Sequence, residues 1–234
     1  MKTLKIFLLL TAIFICPNFA LAKNADELFN ELRQKILQVK DYVAEVNLKI
    51  DVAYMKVPLL KGKLYFKAPD LMKLERNGGI SILPKKNINL TLSNLIPTGK
   101  VTVIDMGTTL YKAKSLRLIK VVPDDEKSSI VLTKIWIDEQ NLLVIHAETT
   151  TYEEGSLIMD LEYNHFVNYS LPDKVKIFMD LKDYKLPQGL TMDYNDGNKK
   201  QENIKKTLKQ KGTIEINYKN YVINKGISTN FFKG

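Results

Sequence analysis

The stretch that decides the fold runs Tyr42-Val43-Ala44-Glu45-Val46-Asn47-Leu48-Lys49-Ile50-Asp51-Val52. Its even-numbered positions are all apolar, and from Glu45 onward its odd-numbered positions are polar or charged. Successive side chains of a β-strand point to opposite faces, so this alternation places the apolar set on one face. The stretch therefore predicts a strand of an antiparallel sheet that is apolar on one face and solvated on the other.

The same alternation recurs along the chain between turn signals. We predict further strands at residues 60–68, 71–75, 100–105, 109–113, 116–122, 129–138, 141–152, 156–164, 175–181 and 212–222. Residues 166–169 are predicted to continue or restart the strand before them. Many short strands with few helices indicate a mainly β, antiparallel fold, which is either a barrel or a strongly curved sheet.

Two segments fit this pattern less well. Residues 77–100 are interrupted by Gly and Pro and predict either two short strands or a mobile apolar cover, with Leu95 and Ile96 in a loop or short helix. Residues 189–211 are the most polar part of the chain and predict a flexible insertion.

One helix is predicted before the first strand. Asn24 is a favoured N-cap residue, and Glu27 follows three positions later as in a capping box. The next apolar residues recur at helical spacing and form one face: Leu28, Phe29, Leu32, Ile36 and Val39. We predict that this helix extends to about Lys40.

Residues 1–22 have the layout of a secretory signal peptide. Lys2 and Lys5 precede an apolar run at residues 6–15, and the small-x-small site Ala20-Leu21-Ala22 follows. The apolar run is shorter than the roughly 20 residues that a membrane-spanning helix needs. We expect cleavage after Ala22, localisation to the periplasm, and a single domain formed by residues 23–234.

Composition narrows the classes of function. Cys16 is the only cysteine and lies inside the predicted signal peptide, so we expect neither a disulfide nor a cysteine ligand in the secreted domain. The formal charge is +9, but most lysines alternate with apolar residues in predicted strands, which is typical of a solvated sheet face. Because secretion separates the domain from nucleic acid, we predict no nucleic-acid partner, and we expect a monomer.

Few residues favour catalysis or metal binding. His146 and His165 are the only histidines, and without cysteine they make a poor zinc site. The run Asp193-Tyr194-Asn195-Asp196-Gly197 resembles the start of a calcium loop, but Gly197 and Ile204 stand where oxygen ligands are needed. No nucleophile elbow, zinc-protease motif or phosphate loop is present. We predict no catalytic residue, no metal, no cofactor and no enzymatic activity, with the histidines at the surface or in structural roles.

The predicted sheet has more apolar surface than one helix can cover. A sheet face must be covered by another layer, so the barrel either closes on its own side chains or leaves a hydrophobic cavity for a ligand. For such a cavity we predict ten lipid-contacting residues: Tyr42, Val46, Leu48, Ile50, Leu64, Phe66, Met159, Leu161, Ile214 and Ile216.

Four segments form an ordered set of motifs. They are the glycine-to-proline strand at residues 62–69, the strand pair at residues 115–122 and 131–138, the arm at residues 155–163, and the closing strand and tail at residues 212–227. The strand pair ends in Trp136-Ile137-Asp138, and the tail contains Asn224-Lys225-Gly226-Ile227. Together they resemble the outer-membrane lipoprotein carrier and lipoprotein-sorting (LolA-like) family.

The resemblance implies a half-open barrel with helices as a lid and a cavity that shields lipoprotein acyl chains, or another envelope lipid, in the periplasm. It implies a carrier or chaperone whose partners are an inner-membrane lipoprotein-releasing transporter and an outer-membrane acceptor. Carrier members often have Arg before the strand-ending proline, where this chain has Ala68. The alternative is a periplasmic sensor of the same fold, which binds lipid or misfolded envelope protein and regulates a membrane signalling protein.

Overall fold

The computed structural model describes residues 24–52, 55–56, 58–76, 95–97, 99–126, 128–152, 155–180 and 211–232. The predicted signal peptide, most of residues 77–100, the calcium-loop-like run and nearly all of the polar segment at 189–211 lie outside these residues. Expectations about those parts, including the domain boundary after Ala22, stay predictions.

The described chain has one α-helix, two short 3-10 helices and eleven strands. Helix α1 spans Ala25–Leu37, and the 3-10 helices span Val167–Tyr169 and Thr229–Phe232. The strands are β1 (Asp41–Val52), β2 (Met55–Lys56), β3 (Leu60–Lys67), β4 (Leu71–Arg76), β5 (Val101–Tyr111), β6 (Lys114–Pro123), β7 (Ile130–Asp138), β8 (Leu143–Thr151), β9 (Gly155–Glu162), β10 (Lys174–Asp180) and β11 (Lys211–Ile223).

All the strands belong to a single antiparallel sheet. The order is β4-β3-β1-β11-β10-β9-β8-β7-β6-β5, and the two-residue β2 pairs with the end of β1. Within the described residues β4 and β5 do not pair with each other, so the sheet is not closed. The predicted mainly β, half-open barrel is therefore confirmed.

Strand β1 lies between β3 and β11, and its alternating pattern sets the two faces there. Tyr42 is opposite Phe66 on β3 and Ile223 on β11. Ala44 and Val46 are buried on the concave face, whereas Glu45 and Lys49 are exposed on the convex face. The first and last long strands of the described chain are thus neighbours inside the sheet.

Helix α1 lies across the concave face. Its N-cap is Asn24, whose side-chain oxygen accepts a hydrogen bond from the Asp26 amide at 3.2 Å, as the sequence predicts. Its apolar side is buried in the same core as the concave strand residues, which covers the sheet. On its outer side, Arg33 donates to the Gly99 carbonyl at 3.3 Å and Lys35 to the Asn141 carbonyl at 2.5 Å.

The helix ends at Leu37, three residues before the predicted end at Lys40. The cause lies far away in the sequence, because Asn224 Oδ1 accepts a hydrogen bond from the Lys40 amide at 2.7 Å. The Ala68 amide donates to the Lys40 carbonyl at 2.8 Å, and the Asp41 carboxylate accepts from the amides that follow Asn224. These tertiary bonds draw the chain into the sheet.

Two strand predictions were wrong. Residues 100–105 and 109–113 form one strand, β5, with a bulge at which Gly107 has φ +78° and its amide donates to Asp105 Oδ1 at 2.8 Å. Residues 166–169 include a 3-10 turn instead of strand, because the Asp173 carboxylate accepts from the Asn164 and His165 amides and turns the chain after β9.

Candidate functional site

All ten residues predicted to contact lipid lie in or against one hydrophobic core on the concave side of the sheet. Leu48 and Ile50 are partly buried and pack against this core. The other eight are buried within it: Tyr42, Val46, Leu64, Phe66, Met159, Leu161, Ile214 and Ile216. The structure therefore brings the set together, and its contact with lipid stays a prediction.

A cavity of about 30 Å³ lies at the end of the concave face where α1 meets β1. Four of the predicted residues line it, namely Tyr42, Phe66, Met159 and Leu161, and so do the helix-side residues Ile36 and Val39. Small-molecule sites usually enclose about 300–1,000 Å³, whereas a single water needs about 10–15 Å³. The cavity is therefore large enough for water molecules but smaller than a usual small-molecule site.

Tyrosines that the sequence analysis did not assign to a site surround this cavity. Tyr218 and Tyr221 both line it, although they are three positions apart in β11. A bulge at Asn220, with φ +53°, shifts the register so that both rings face the concave side, stacked with centroids 5.6 Å apart. Strict period-two alternation would place Tyr221 on the opposite face of the sheet. The only local sequence signal for the bulge is Asn220, because asparagine tolerates positive φ.

Further ring contacts join this tyrosine pair to β1. Tyr42 stacks on Phe66 at 5.1 Å and meets the edge of Tyr221 at 5.2 Å. Burial raises the pKa of the Tyr42 and Tyr218 hydroxyls. It also raises the pKa of Tyr221, reinforced by the neighbouring hydroxyls of Tyr42, Tyr218 and Tyr163 and by other groups. These phenols therefore stay neutral at physiological pH, and the Tyr221 hydroxyl donates to the Pro172 carbonyl at 2.8 Å.

A second polar group lies on the convex face. The β5–β6 hairpin bends so that Tyr111 stacks on His146 at 4.5 Å and its hydroxyl donates to Asp160 Oδ1 at 2.6 Å. His146 Nδ1 lies 2.6 Å from the same oxygen, and Lys112 donates to Asp160 Oδ2 at 2.8 Å. Burial acts to raise the pKa of Asp160, but the bonds from Lys112, Tyr111 and His146 outweigh it and the pKa is lowered.

The side chains of this convex group bond to one another and hold neighbouring strands together. His146 is buried, both oxygens of Asp160 are engaged, and the group fastens the hairpin to β8 and β9. A cavity of about 320 Å³ lies beside it, between the hairpin, the β7–β8 turn and the end of β9. No serine, threonine or cysteine is among the described residues that line this cavity, and its hydroxyl groups belong to Tyr111 and Tyr163.

The other histidine also supports the fold. His165 is exposed, and its Nδ1 lies 2.5 Å from Asp173 Oδ1 in the turn between β9 and β10. Within the described ranges, no three His, Cys, Asp or Glu side chains come together as a metal site. No helix in that part of the chain is long and apolar enough to cross a membrane.

The fold and this apolar concave face define a LolA-like curved-sheet architecture, and solved structures share it. A domain of an outer membrane lipoprotein-sorting protein from Vibrio parahaemolyticus matches with a TM-score of 0.55 and 9% identity, over 89% of this chain and 97% of that chain. A LolA superfamily protein from Nitrosomonas europaea matches with a TM-score of 0.54 and 9% identity, over 90% and 98%. A DUF1329 family protein from Desulfovibrio piger matches with a TM-score of 0.53 and 10% identity, over 90% and 98%.

Identity at this level shows a shared fold, and it confirms the LolA-like resemblance as a statement about fold. No protein-family model and no curated protein matches the amino-acid sequence.

Proposed function

We propose that the protein is a periplasmic carrier or chaperone that binds the acyl chains of lipoproteins, or another envelope lipid, on its concave face for transfer toward the outer membrane. One observation carries the proposal. The apolar concave face of a ten-strand unclosed sheet is covered, in the described chain, mainly by the single helix α1. A cover made of one amphipathic helix is an element that a hydrocarbon tail can replace.

The energies of the helix and of a lipid tail are of the same size. The helix buries Leu28, Phe29, Leu32 and Ile36, and at about 1.5–3 kcal/mol for each side chain this amounts to roughly 6–12 kcal/mol. An acyl chain gains about 0.8 kcal/mol for each buried CH₂, or roughly 11–13 kcal/mol for a chain of about 14–16 carbons. Exchange between helix and tail is therefore close to balance, which suits reversible loading.

The polar contacts of the helix would not prevent its displacement. Arg33 donates to the Gly99 carbonyl and Lys35 to the Asn141 carbonyl, and both hydrogen bonds are exposed. Such bonds contribute about 0.5–1.5 kcal/mol each because water replaces them when they break. The helix is thus held mainly by apolar contacts, the kind that a lipid tail also makes.

The proposal includes the partners and the compartment. An acyl chain crossing water needs a container, so a carrier takes its cargo from an inner-membrane lipoprotein-releasing transporter and delivers it to an outer-membrane acceptor. The predicted signal peptide at residues 1–22 directs the chain to the periplasm. We propose a monomer without enzymatic activity, in which the ten concave residues contact the tail.

Native mass spectrometry of the protein from its own periplasm, together with binding of a fluorescent acyl probe to the delipidated protein, tests this function. We expect acyl-lipid adducts in the wild type, and loss of adducts and probe binding in Leu48→Glu, which places a charge on the partly buried concave face. Val222→Glu, on the exposed convex side of β11, is the matched control and should bind normally.

The proposal fails if wild-type protein carries no lipid and binds no probe. If Leu48→Glu and Leu64→Glu both bind as well as the wild type, the ten-residue site is misplaced.

One observation favours the sensor alternative. Strand β5 is a free edge of the described sheet, and it exposes Ile104, Met106 and Leu110 by 44%, 45% and 74%. An apolar edge strand is a surface on which another protein can add a strand. Affinity capture from solubilised envelopes separates the two functions, because a sensor retains one membrane protein in stoichiometric amount and a carrier does not.

A further inference from the structure

Tyr163 places a hydrogen-bond donor at the end of the apolar face. It follows β9 directly, and its side chain packs against the concave core. Its hydroxyl oxygen is buried and has no hydrogen-bond partner among the residues that the structure describes. By contrast, the nearby Tyr221 hydroxyl donates to the Pro172 carbonyl at 2.8 Å.

Tyr163 lies beside the start of β10, because Glu162 pairs with Lys174. A buried hydroxyl without a partner costs free energy, so a ligand that brings an acceptor to this hydroxyl recovers that cost on binding.

Tyr163 also lines the 320 Å³ polar cavity beside the end of β9, while its side chain packs against the concave core. Leu161, two residues earlier, lines both that cavity and the small cavity under α1. Burial raises the pKa of the Tyr163 hydroxyl, so it is a neutral donor. Tyr163 is therefore a point of contact between the polar cavity and the apolar concave face.

The polar cavity fits an uncharged head group better than an anion. Its lining includes Lys112 and Lys114, but also Asp138, Asp160 and Glu162, so positive charge is offset by negative charge. Lys112 is engaged with Asp160 at 2.8 Å. At about 320 Å³, the cavity is large enough for a small polar group, whereas the 30 Å³ space under α1 is not.

We propose that the Tyr163 hydroxyl donates a hydrogen bond to the carbonyl oxygen of an ester or amide bond in the bound lipid. This inference rests on the proposed function and names the class of ligand within it: an acylated molecule, in preference to a plain hydrocarbon or an ether lipid. The tail lies on the concave face, the carbonyl lies at Tyr163, and the polar group lies in the cavity between the hairpin and β9.

Three ligands with the same tail length test the proposal on the delipidated protein. 1-Hexadecanoylglycerol has an ester carbonyl, N-hexadecanoylserinol has an amide carbonyl, and 1-O-hexadecylglycerol has an ether and no carbonyl. We expect Tyr163→Phe to weaken binding of the ester or the amide by about fivefold to tenfold, the value of one hydrogen bond, and to leave ether binding unchanged. The carbonyl ligand that loses more affinity shows whether the site recognises an ester or an amide bond.

A spectroscopic measurement separates the hydrogen bond from a general effect on structure. The infrared carbonyl stretch of the ¹³C-labelled ester or amide should shift to lower frequency in the wild type and not in Tyr163→Phe. The unbound variant should unfold at a denaturant concentration no lower than the wild type, because it no longer buries an unpaired hydroxyl. Tyr65→Phe, at a convex-face tyrosine whose ring contacts Phe231 with centroids 4.6 Å apart, is the matched control and should change neither affinity nor spectrum.

The inference is overturned if Tyr163→Phe weakens all three ligands equally, or none of them, while the wild type binds lipid. That result would leave the proposed function intact. A wild type that binds none of the three ligands would instead contradict the proposed function, and this inference with it.

Discussion

At Gly62 the backbones of β3 and β4 approach so closely that a side chain has no room. A Cβ atom at this position would lie 2.2 Å from the Glu75 carbonyl oxygen. Backbone atoms in the middle of a sheet cannot move away cheaply, so the strands themselves would have to separate. The glycine that opens the family-like strand at residues 62–69 is thus explained by packing alone.

We predict that Gly62→Ala lowers the free energy of unfolding by about 1–3 kcal/mol, because the added methyl group overpacks the β3–β4 contact. Urea denaturation followed by circular dichroism measures the change. Gly99→Ala is the matched control, since nothing lies within 4 Å of its Cβ position, and it should stay within about 0.5 kcal/mol of the wild type. Equal midpoints for the two variants would contradict the close approach.

Asp160 is the residue on which the convex polar group depends. Its carboxylate accepts bonds from Tyr111 and Lys112 and lies next to His146, and its pKa is lowered despite burial. An unfolded aspartate titrates near pH 3.9. Because the folded pKa is lower, the carboxylate stabilises the fold fully above the unfolded pKa, and this contribution is lost as the pH falls through the folded pKa.

We predict that Asp160→Asn destabilises the protein by about 1–3 kcal/mol at pH 7, through loss of charge-assisted hydrogen bonds. The difference in the free energy of unfolding between wild type and variant should become smaller as the pH falls from about 5 to 3, since the wild type then loses the charge of the Asp160 carboxylate. Denaturation series at several pH values measure this difference. Asp51→Asn, at an exposed position of β1, is the control and should have the same free energy of unfolding as the wild type at each pH. A constant difference for Asp160→Asn across this range would refute the assignment.

At the scale of elements, α1 has two properties that suit a lid. Its apolar side completes the core, and Arg33 and Lys35 on its outer side donate to loop carbonyls in exposed hydrogen bonds that water can replace. If the helix and the lipid tail compete for the concave face, any change that weakens only the closed state must raise the apparent affinity for lipid.

We predict that Ile36→Val, on the buried side of α1, lowers the stability of the unbound protein by about 0.5–1.5 kcal/mol and raises acyl-probe affinity about twofold to tenfold. Ile119→Val makes the same chemical change at a fully buried position of β6, in the sheet. It should cost similar stability without a gain in affinity. Fluorescence titration compares the two variants, and equal affinities would mean that α1 is a fixed part of the core.

The strands also show which features of the fold can be predicted from alternation in the sequence. The strands were predicted to within a few residues where alternation was unbroken, as in β1, β3 and β10. Bulges interrupted the prediction, because one inserted residue reverses the facing of all that follow. The bulge at Gly107 made β5 resemble two strands, and the one at Asn220 concealed Tyr221 from the concave face.

For the whole molecule, the strand order decides what the concave face becomes. β1 pairs with β11, so residues from both ends of the described chain form the middle of the sheet beside β3 and β10. Many lysines project from the convex face and lie opposite acidic residues of the neighbouring strand. Lys49 and Lys176 are both opposite Glu215, and Lys134 contacts Glu148 at 2.9 Å. The excess positive charge is thus partly offset on a solvated surface.

By itself, the sequence determined the features that depend on neighbours in the chain. Period-two alternation assigned the apolar face of each regular strand, and Asn24 marked the start of the helix, because both signals act over a few residues. The ten concave residues were found for the same reason. Tertiary structure alone decided the end of α1, which depends on Asn224, and the burial of His146, which depends on Tyr111 and Asp160.

Tertiary structure also decided how much empty space the concave face contains. The sequence showed an excess of apolar strand surface, but whether a helix fills the space over it depends on strand order, sheet curvature and the path of α1. In the described part of the chain, α1 meets the sheet around a cavity of about 30 Å³ at the end lined by tyrosines. Cavity volume is a small difference between large packed volumes contributed by distant residues, and no local pattern encodes it.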